Sequence, residues 1–335
     1  HIFDGKAKDA PLPLILGHEH VAVIERIGAE AHQALEATGQ ILHEGDRITW
    51  WGVIPCGRCW YCRSVPAHAS DFCMSPFAYG FSSCKEPPHL FGGFAEKVYL
   101  KPGTKVWKIP DSLSDDVAVL QDLFAAVNGI LRAITPYTAP KEGFRPTDTV
   151  VVQGSGPMGL AAGITAWLCG AHEIILVGGP AHRLEIAREF GVFDHIISID
   201  EVSDAADRVT LVKELTPGGV GPDLVVECAG VPAAIPEGLE MLRRGGTFVE
   251  IGSFVDTGET TISPFKHLCH KDVRLIGQYG GKSDHIGIAF KLLEMAVRRG
   301  LPLTKMITHR FPLVEAQRAM ESAEQLEGMK IILTM

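Results

Sequence analysis

At 335 residues, 46% apolar and 21% charged, the chain is long enough for about two domains and has too much to bury to be disordered. Its 31 Lys and Arg stand against 40 Asp and Glu, a net charge of −9 without a basic patch, which argues against nucleic acid and anionic membranes as partners. No apolar run reaches the roughly 18 residues that span a bilayer, and eight cysteines are too few for a disulfide scaffold.

In chain order, residues 1–125 read as a β-rich unit of short strands and turns, with strands expected at His20–Glu25 and Asp46–Trp50 and with Pro and Gly scattered between them. The first residue is His1, so any targeting segment is expected upstream. Gly17-His18-Glu19-His20 sets an imidazole and a carboxylate side by side at the head of a strand; alone, such a histidine is more often structural than a ligand. Cys56, Cys59 and Cys62 place three soft thiolates within seven residues, the spacing of a metal site rather than of disulfides, and zinc suits it best. Cys73 is the nearest candidate for a fourth ligand and Cys84 the next. A closed four-thiolate site has no open position, so its role is structural. The intervening Arg58, Trp60, Tyr61 and Arg63 do not make an apolar core strand, which speaks against buried, unmetallated thiols.

From Thr147 the pattern changes to apolar strands alternating with helices: Thr147–Gln153, Glu173–Val177, His195–Ile199, Asp223–Cys228, Thr247–Ile251 and Val273–Ile276. Six strands so connected predict a doubly wound parallel sheet, buried on both faces. Gly154-Ser-Gly156-Pro157-Met158-Gly159 stands between the first of these strands and an apolar helix over 160–169, the setting in which a glycine loop binds a dinucleotide pyrophosphate. The next strand ends in Gly178-Gly-Pro-Ala-His182-Arg183, with no acid for the ribose 2′-hydroxyl, so NADP becomes admissible beside NAD, with Arg183 or His182 as phosphate partners. Ser283 is expected to cap a helix that buries Ile286, Ala289, Phe290, Leu293 and Val297, and Lys330–Thr334 closes the chain as a strand. The Pro-bearing stretch Thr135–Pro146 reads as a surface insertion or hinge.

In order, His18-Glu19, the cysteine cluster, Gly92-Gly-Phe-Ala-Glu96 and the glycine loop resemble, over essentially the whole chain, the zinc-dependent alcohol dehydrogenases of the medium-chain dehydrogenase/reductase superfamily. The resemblance implies an α/β protein with a GroES-like β-rich catalytic domain (1–125), a Rossmann NAD(P)-binding domain (126–278) and a C-terminal return to the catalytic domain (279–335). It implies that His18 is a catalytic zinc ligand and Glu19 a neighbouring carboxylate that shifts onto the metal during exchange. It also implies that His1 is a relay histidine, with a ligand Cys and a relay hydroxyl preceding it. The third ligand position falls on Asp122, with Gln121 one residue off; an anionic oxygen binds Zn²⁺ better than a neutral amide, which favours Asp122. Lys330 matches a basic residue that contacts the cofactor pyrophosphate. One departure is Ser70, which stands where the family carries its fourth structural cysteine, with Cys73 three residues later.

The activity so implied is zinc-dependent hydride transfer between an alcohol and the nicotinamide of NAD or NADP, by an enzyme expected to be cytoplasmic and a homodimer or homotetramer. The substrate would be a small alcohol, aldehyde or ketone. Two rival readings are a zinc-free quinone or enone reductase of the same superfamily and a non-catalytic dinucleotide-binding protein. Trp50 or Trp51 could line the substrate site or simply pack in the core.

Overall fold

Turn residues and short β-branched runs break the first third of the chain into small sheets. In the computed structural model, which describes residues 2–3, 5, 10–35, 39–134 and 144–335 (33 and 34 in backbone only), strands β1 (Ala22–Val23), β2 (Arg47–Trp50) and β5 (Val106–Lys108) form one antiparallel sheet. Strands β3 (Val53–Ile54) and β4 (Phe77–Ala78) form a second antiparallel pair, with the cysteine motif between them in the chain. The strand expected over His20–Glu25 thus shrinks to two residues, although Ile24 N–H still donates to Asp46 O. His1 and residues 135–143 of the expected insertion lie outside the described residues.

The chain divides into two compact units, His1–Asp122 with Lys282–Glu294 and Ile307–Met335, and Leu123–Gly281 with Met295–Met306. In the first, Leu42, Ile48, Trp50, Tyr79, Phe91 and Val106 build the core. Trp50 and Trp51 are both buried, so packing is their role. The Tyr79 hydroxyl, buried with its ring, exchanges a 2.8 Å hydrogen bond with Thr104 Oγ1 and accepts the Lys101 N–H at 2.7 Å.

The second unit is built on β6 (Thr149–Gln153), β7 (Glu173–Gly178), β8 (His195–Ser198), β9 (Leu224–Glu227), β10 (Thr247–Glu250) and β11 (Arg274–Gly277). They lie in the order β11-β10-β9-β6-β7-β8, all pairs parallel, which is the doubly wound arrangement with its order reversing beside β6. All residues of β6 and β9 are buried, as a sheet covered on both faces requires. Val151, Val225, Leu239, Met241 and Phe248 pack on one side of it. The helix Ala205–Glu214 starts at Asp204, whose carboxylate accepts the Ala206 and Asp207 N–H groups. Arg208 on that helix clamps Glu237 of the helix Ala234–Met241 through two 2.8 Å bonds, and Lys271 Nζ ends the latter helix by donating to the carbonyls of Leu239, Glu240 and Leu242.

The last strands, β12 (Ile307–Pro312) and β13 (Lys330–Thr334), pair with each other in the first unit. The helix before them runs His285–Arg298 and buries Ile286, Ala289, Phe290 and Leu293. Val297 is exposed and Ala296 buried in its place. Ser283 does not cap this helix: it stands two residues ahead, and its hydroxyl accepts from Lys105 Nζ while its N–H donates to Asp71.

Phe248 at 0% exposure fills the centre of the second core. Phe248→Ala is expected to lower stability in chemical denaturation by about 3–5 kcal/mol, whereas Leu275→Ala, on the exposed side of β11, should stay within about 0.5 kcal/mol.

Candidate metal centres and dinucleotide loop

The cysteine motif folds on itself because Cys59 ends an extended stretch and starts the helix Trp60–Ser64, which brings Cys62 round by one turn. A 3-10 turn at Pro66–His68 and a short helix Ala69–Phe72 then return the chain at Cys73, absorbing the three residues by which Cys73 is displaced from Ser70. The Sγ atoms stand 3.4 Å (Cys59–Cys62), 3.9 Å (Cys56–Cys62) and 4.0 Å (Cys59–Cys73) apart, and all four lie within 4.8 Å of one another. Four thiolates about 2.3 Å from a central Zn²⁺ would be about 3.8 Å apart, so the donor set fits that ion. Backbone N–H groups of Met74 and Cys62 favour the Cys59 thiolate and draw its pKa down to about 6. Burial and the neighbouring sulfurs push Cys62 up to about 12, as expected when four thiols compete to ionise in one place. Cys84 is buried in the core, with its N–H on Pro13 O, and takes no part.

His18 and Glu19 follow Gly17, whose φ of +95° and whose Cα, facing the Phe94 ring and backbone, leave no room for a side chain. The second glycine motif supplies the partner: Gly93 N–H donates to Gly17 O and Phe94 N–H to Leu16 O, both at 2.8 Å. Asp122 comes from the first turn of the helix Gln121–Ala126. Its Oδ2 lies 4.0 Å from His18 Nε2, and His18, Glu19 and Asp122 offer donor atoms all within 4.8 Å of one another. Gln121, the alternative, points elsewhere: it is buried and its Nε2 donates to Thr49 Oγ1, which donates to His20 O.

The electrostatics of the three groups differ. Burial opposes ionisation of Glu19, but the Lys330 ammonium that it binds, with His18, outweighs this and holds its carboxyl below the usual range. Burial and the Glu19 charge push the Asp122 carboxyl up to about 6. Two carboxylates and an imidazole in a half-buried space are a donor set for a divalent cation, which would offset the repulsion that Asp122 reports. Tetrahedral N and O ligands at about 2.0–2.1 Å would be about 3.4 Å apart, a little tighter than the His18–Asp122 separation. His18 packs on Phe81, and His20 is buried against Trp50 with ring centroids 3.4 Å apart. Burial and His18 lower the His20 pKa to about 3, so this imidazole is neutral, and neither of its nitrogens has a hydrogen-bond partner among the described residues. Lys330 is engaged by Glu19.

In the second unit Gly154 (φ +104°) turns the chain out of β6, and Gly156 precedes a helix, Pro157–Leu168, that begins with proline. Gly159 lies against Gly154 O, with no space for a Cβ, so loop and helix are locked together; Met158 follows Pro157 in the first turn. The Arg183 guanidinium stands 3.6 Å from where a Cβ of Gly156 would be, which puts a cation over the loop. A side chain at Gly178 would meet Ser155, whose buried hydroxyl donates to Gly179 O. The place of the missing acid is thus occupied by the loop itself. Sequence reading overlooked Asp200, whose Oδ2 lies 3.3 Å from a Cβ placed on Gly179. It follows the neighbouring strand β8, so strand order, not spacing from the glycine loop, was the signal. The readings for His1 as a relay residue lie outside the described residues.

Residues 1–111 match the alcohol dehydrogenase GroES-like domain and residues 157–295 the zinc-binding dehydrogenase domain. The chain is 32% identical to 5-exo-hydroxycamphor dehydrogenase of Pseudomonas putida over 96% of its own length and 83% of that protein's. It is 26% identical to L-threonine 3-dehydrogenase of Yersinia pestis (strain Pestoides F), with 98% and 84% covered. Among solved structures it resembles an alcohol dehydrogenase of Thermotoga maritima (TM-score 0.87, 30% identity, 99% of this chain and 87% of that one). A protein of Sinorhizobium meliloti 1021 described as a zinc-binding dehydrogenase, bound to NADP, shares the fold (TM-score 0.78, 24% identity, 97% and 85% covered). No helix among the described residues is long and apolar enough to cross a membrane.

With three thiolates left, the cysteine cluster cannot close a tetrahedron. Cys73→Ser should lower the zinc content by about one equivalent per chain in elemental analysis, with a lower thermal midpoint; unchanged zinc content would exclude Cys73 as a ligand.

Proposed function

This chain belongs to the zinc-binding dehydrogenases of the medium-chain dehydrogenase/reductase superfamily, and we propose that it transfers a hydride between a small alcohol or carbonyl substrate and NAD(P), assisted by zinc at His18 and Asp122. The observation that carries this reading is the convergence of His18, Glu19 and Asp122. A zinc ion held there would supply a Lewis acid with an open coordination position, and the nicotinamide the hydride chemistry. The first unit acts as the catalytic domain and the second as the coenzyme domain.

The chain's own contribution is charge and position. His18 offers Nε2 and Asp122 an oxygen, while Glu19, tethered to Lys330, is the third donor in reach. Lys330 keeps Glu19 ionised, so a net negative field faces the cation without Glu19 having to ligate it. Neutral His20 underneath adds no competing positive charge. In the second unit the N–H groups at the start of Pro157–Leu168 are suited to the pyrophosphate. Arg183 near Gly156 favours the 2′-phosphate of NADP, and Asp200 near Gly179 opposes it, so the pair sets the balance between NADP and NAD. The Cys56, Cys59, Cys62 and Cys73 cluster holds a second, structural zinc. The eight cysteines are free, which suits a reducing, cytoplasmic setting. A homodimer or homotetramer is the expected assembly. The relatives named for hydroxycamphor and L-threonine direct the substrate search to secondary alcohols.

Two experiments test the reading. His18→Ala and Asp122→Asn should each lower kcat by at least about 10³-fold while the NADPH Kd stays within about twofold, because only the reacting end is altered. Turnover that survives both substitutions would sink the zinc-assisted mechanism. Arg183→Gln should raise KM for NADP by about tenfold and that for NAD by much less; equal effects on both cofactors would remove Arg183 from phosphate recognition.

A further inference from the structure

Two glutamates in the second unit remain without a role. Glu227 ends β9, Glu250 ends β10, and the parallel register sets them side by side. Glu227 is 0% exposed. Its Oε1 accepts the N–H groups of Ala229 at 2.7 Å and Gly230 at 3.0 Å, and Glu250 Oε1 accepts the Ser253 N–H at 2.9 Å. Each carboxyl therefore spends one oxygen on the turn that follows its own strand. The remaining two, Glu227 Oε2 and Glu250 Oε2, are buried and have no N–H or O–H partner among the described residues. Paired in register on adjacent parallel strands, the two side chains leave the sheet on the same face, and the charge of one acts on the other. Two neighbouring carboxylates in a buried place repel, and two orphaned oxygens go unsatisfied. One hydrogen shared between them removes both penalties.

The turn after β9 lies against the glycine loop. A Cβ on Gly154 would come within 2.8 Å of Ala229 N and 2.9 Å of the Cys228 carbonyl carbon, so any shift of this turn is felt by the first glycine of the loop. On its other side, in the turn after β10, a Cβ on Gly252 would collide with Glu227 Oε2.

We propose that Glu227 and Glu250 share a single proton and that this bond positions the 228–230 turn, and through it Gly154, for the dinucleotide. The second half rests on the cofactor reading above; the first does not. The glutamates are positioning residues, since neither needs to touch the cofactor.

Among the described residues, the neighbouring charged groups are engaged elsewhere. In register beside Glu227 on β6 is the neutral Gln153, and beyond β11 the neutral Gln278 donates its backbone N–H to Glu250 O. Arg132, on the helix packed against β10 and β11, is engaged by Gly277 O and Gln278 Oε1. On the helix packed against β9, Glu237 is paired with Arg208 and Glu240 with Lys266. Asp256 accepts the Gly258 N–H, and the adjacent Cys228 thiol is kept protonated by burial and by the two carboxyls. Burial and the Glu250 charge push the Glu227 carboxyl up to about 8. A raised carboxyl pKa means that the bond is intact below that pH and lost as pH rises through it. By linkage, cofactor binding should then weaken by at most about tenfold per pH unit.

The test pairs infrared spectroscopy with NADPH and NADH fluorescence titration on the full chain, from about pH 6.5 to about pH 9.5. In the wild type we expect the C=O stretch of a protonated carboxyl that disappears near pH 8, with the NADPH Kd rising in step. In Glu250→Gln the amide donates permanently to Glu227, so the band should be absent and the Kd flat across the range. No protonated-carboxyl band near neutrality overturns the shared proton, whatever the variant does. A titrating band with an unmoved Kd, or with a Kd that moves equally in Glu250→Gln, overturns the positioning role. If the band titrates but neither NADPH nor NADH binds at any pH, the cofactor reading falls and the positioning role with it, while the shared proton stands.

Discussion

The ion pair of Glu19 with Lys330 is the interaction on which the candidate catalytic metal centre depends. Glu19, Asp122 and His18 occupy one half-buried space, with donor atoms within 4.8 Å of one another, where two carboxylates repel by roughly 3–4 kcal/mol at an effective dielectric of about 20. Burial raises both carboxyls, yet only Asp122 ends up raised, to about 6, because Lys330 reaches Glu19 and offsets its desolvation. The lysine comes from β13, 311 positions further along the chain, so the C-terminal strands set the charge at a site whose other members lie before residue 123. That is a physical reason for the chain's last segment to return to the first unit.

Backbone, too, ties distant pieces of sequence into this site. Gly17-His18-Glu19 and Gly92-Gly-Phe-Ala-Glu96 look like separate motifs in the chain, but the hydrogen bonds from Gly93 and Phe94 to Gly17 and Leu16 make them one element. Glycine is required there because the two backbones touch, and His18 and Glu19 follow directly from that contact. The thiolate cluster is built differently, from a local fold of residues 56–73 that needs no distant partner. Four soft donors with no open position suit a staple, and mixed nitrogen and oxygen donors with one residue 39% exposed suit chemistry.

Most of the fold was legible in the sequence because its signals are local. Each of the six parallel strands lies within two residues of the apolar run that predicts it, and the glycine loop sits where strand and helix patterns meet. The cysteine spacing and His18-Glu19 were legible for the same reason. What escaped the sequence depends on register or on side chains from another strand. Asp200 stands next to Gly179 only because β8 flanks β7, and Ser155 fills the space at Gly178 only because the loop folds back. Ser283 looked like a cap, but Lys105 and Asp71, far off in sequence, claim its hydroxyl and N–H. The pairing of Glu227 with Glu250 is invisible until the strands are placed in register.

The buried acids of this chain show how one cost, that of removing a carboxylate from water, is met by whatever the neighbouring element offers. Glu237 faces a helix that carries Arg208 and is met by a bidentate cation. Glu19 is met by Lys330. Asp122 has an imidazole and a second carboxylate beside it, an arrangement that favours either a proton or a metal ion. Among the described residues Glu227 is met by Glu250, neutral amides and the Cys228 thiol and by no cation, so a proton is the remaining means of lowering the charge. Sites where the sequence supplies an arginine or lysine partner are therefore fixed in charge across the neutral range. Sites where it supplies another acid can respond to pH or to a ligand, as at the candidate metal centre and at the turn against the glycine loop.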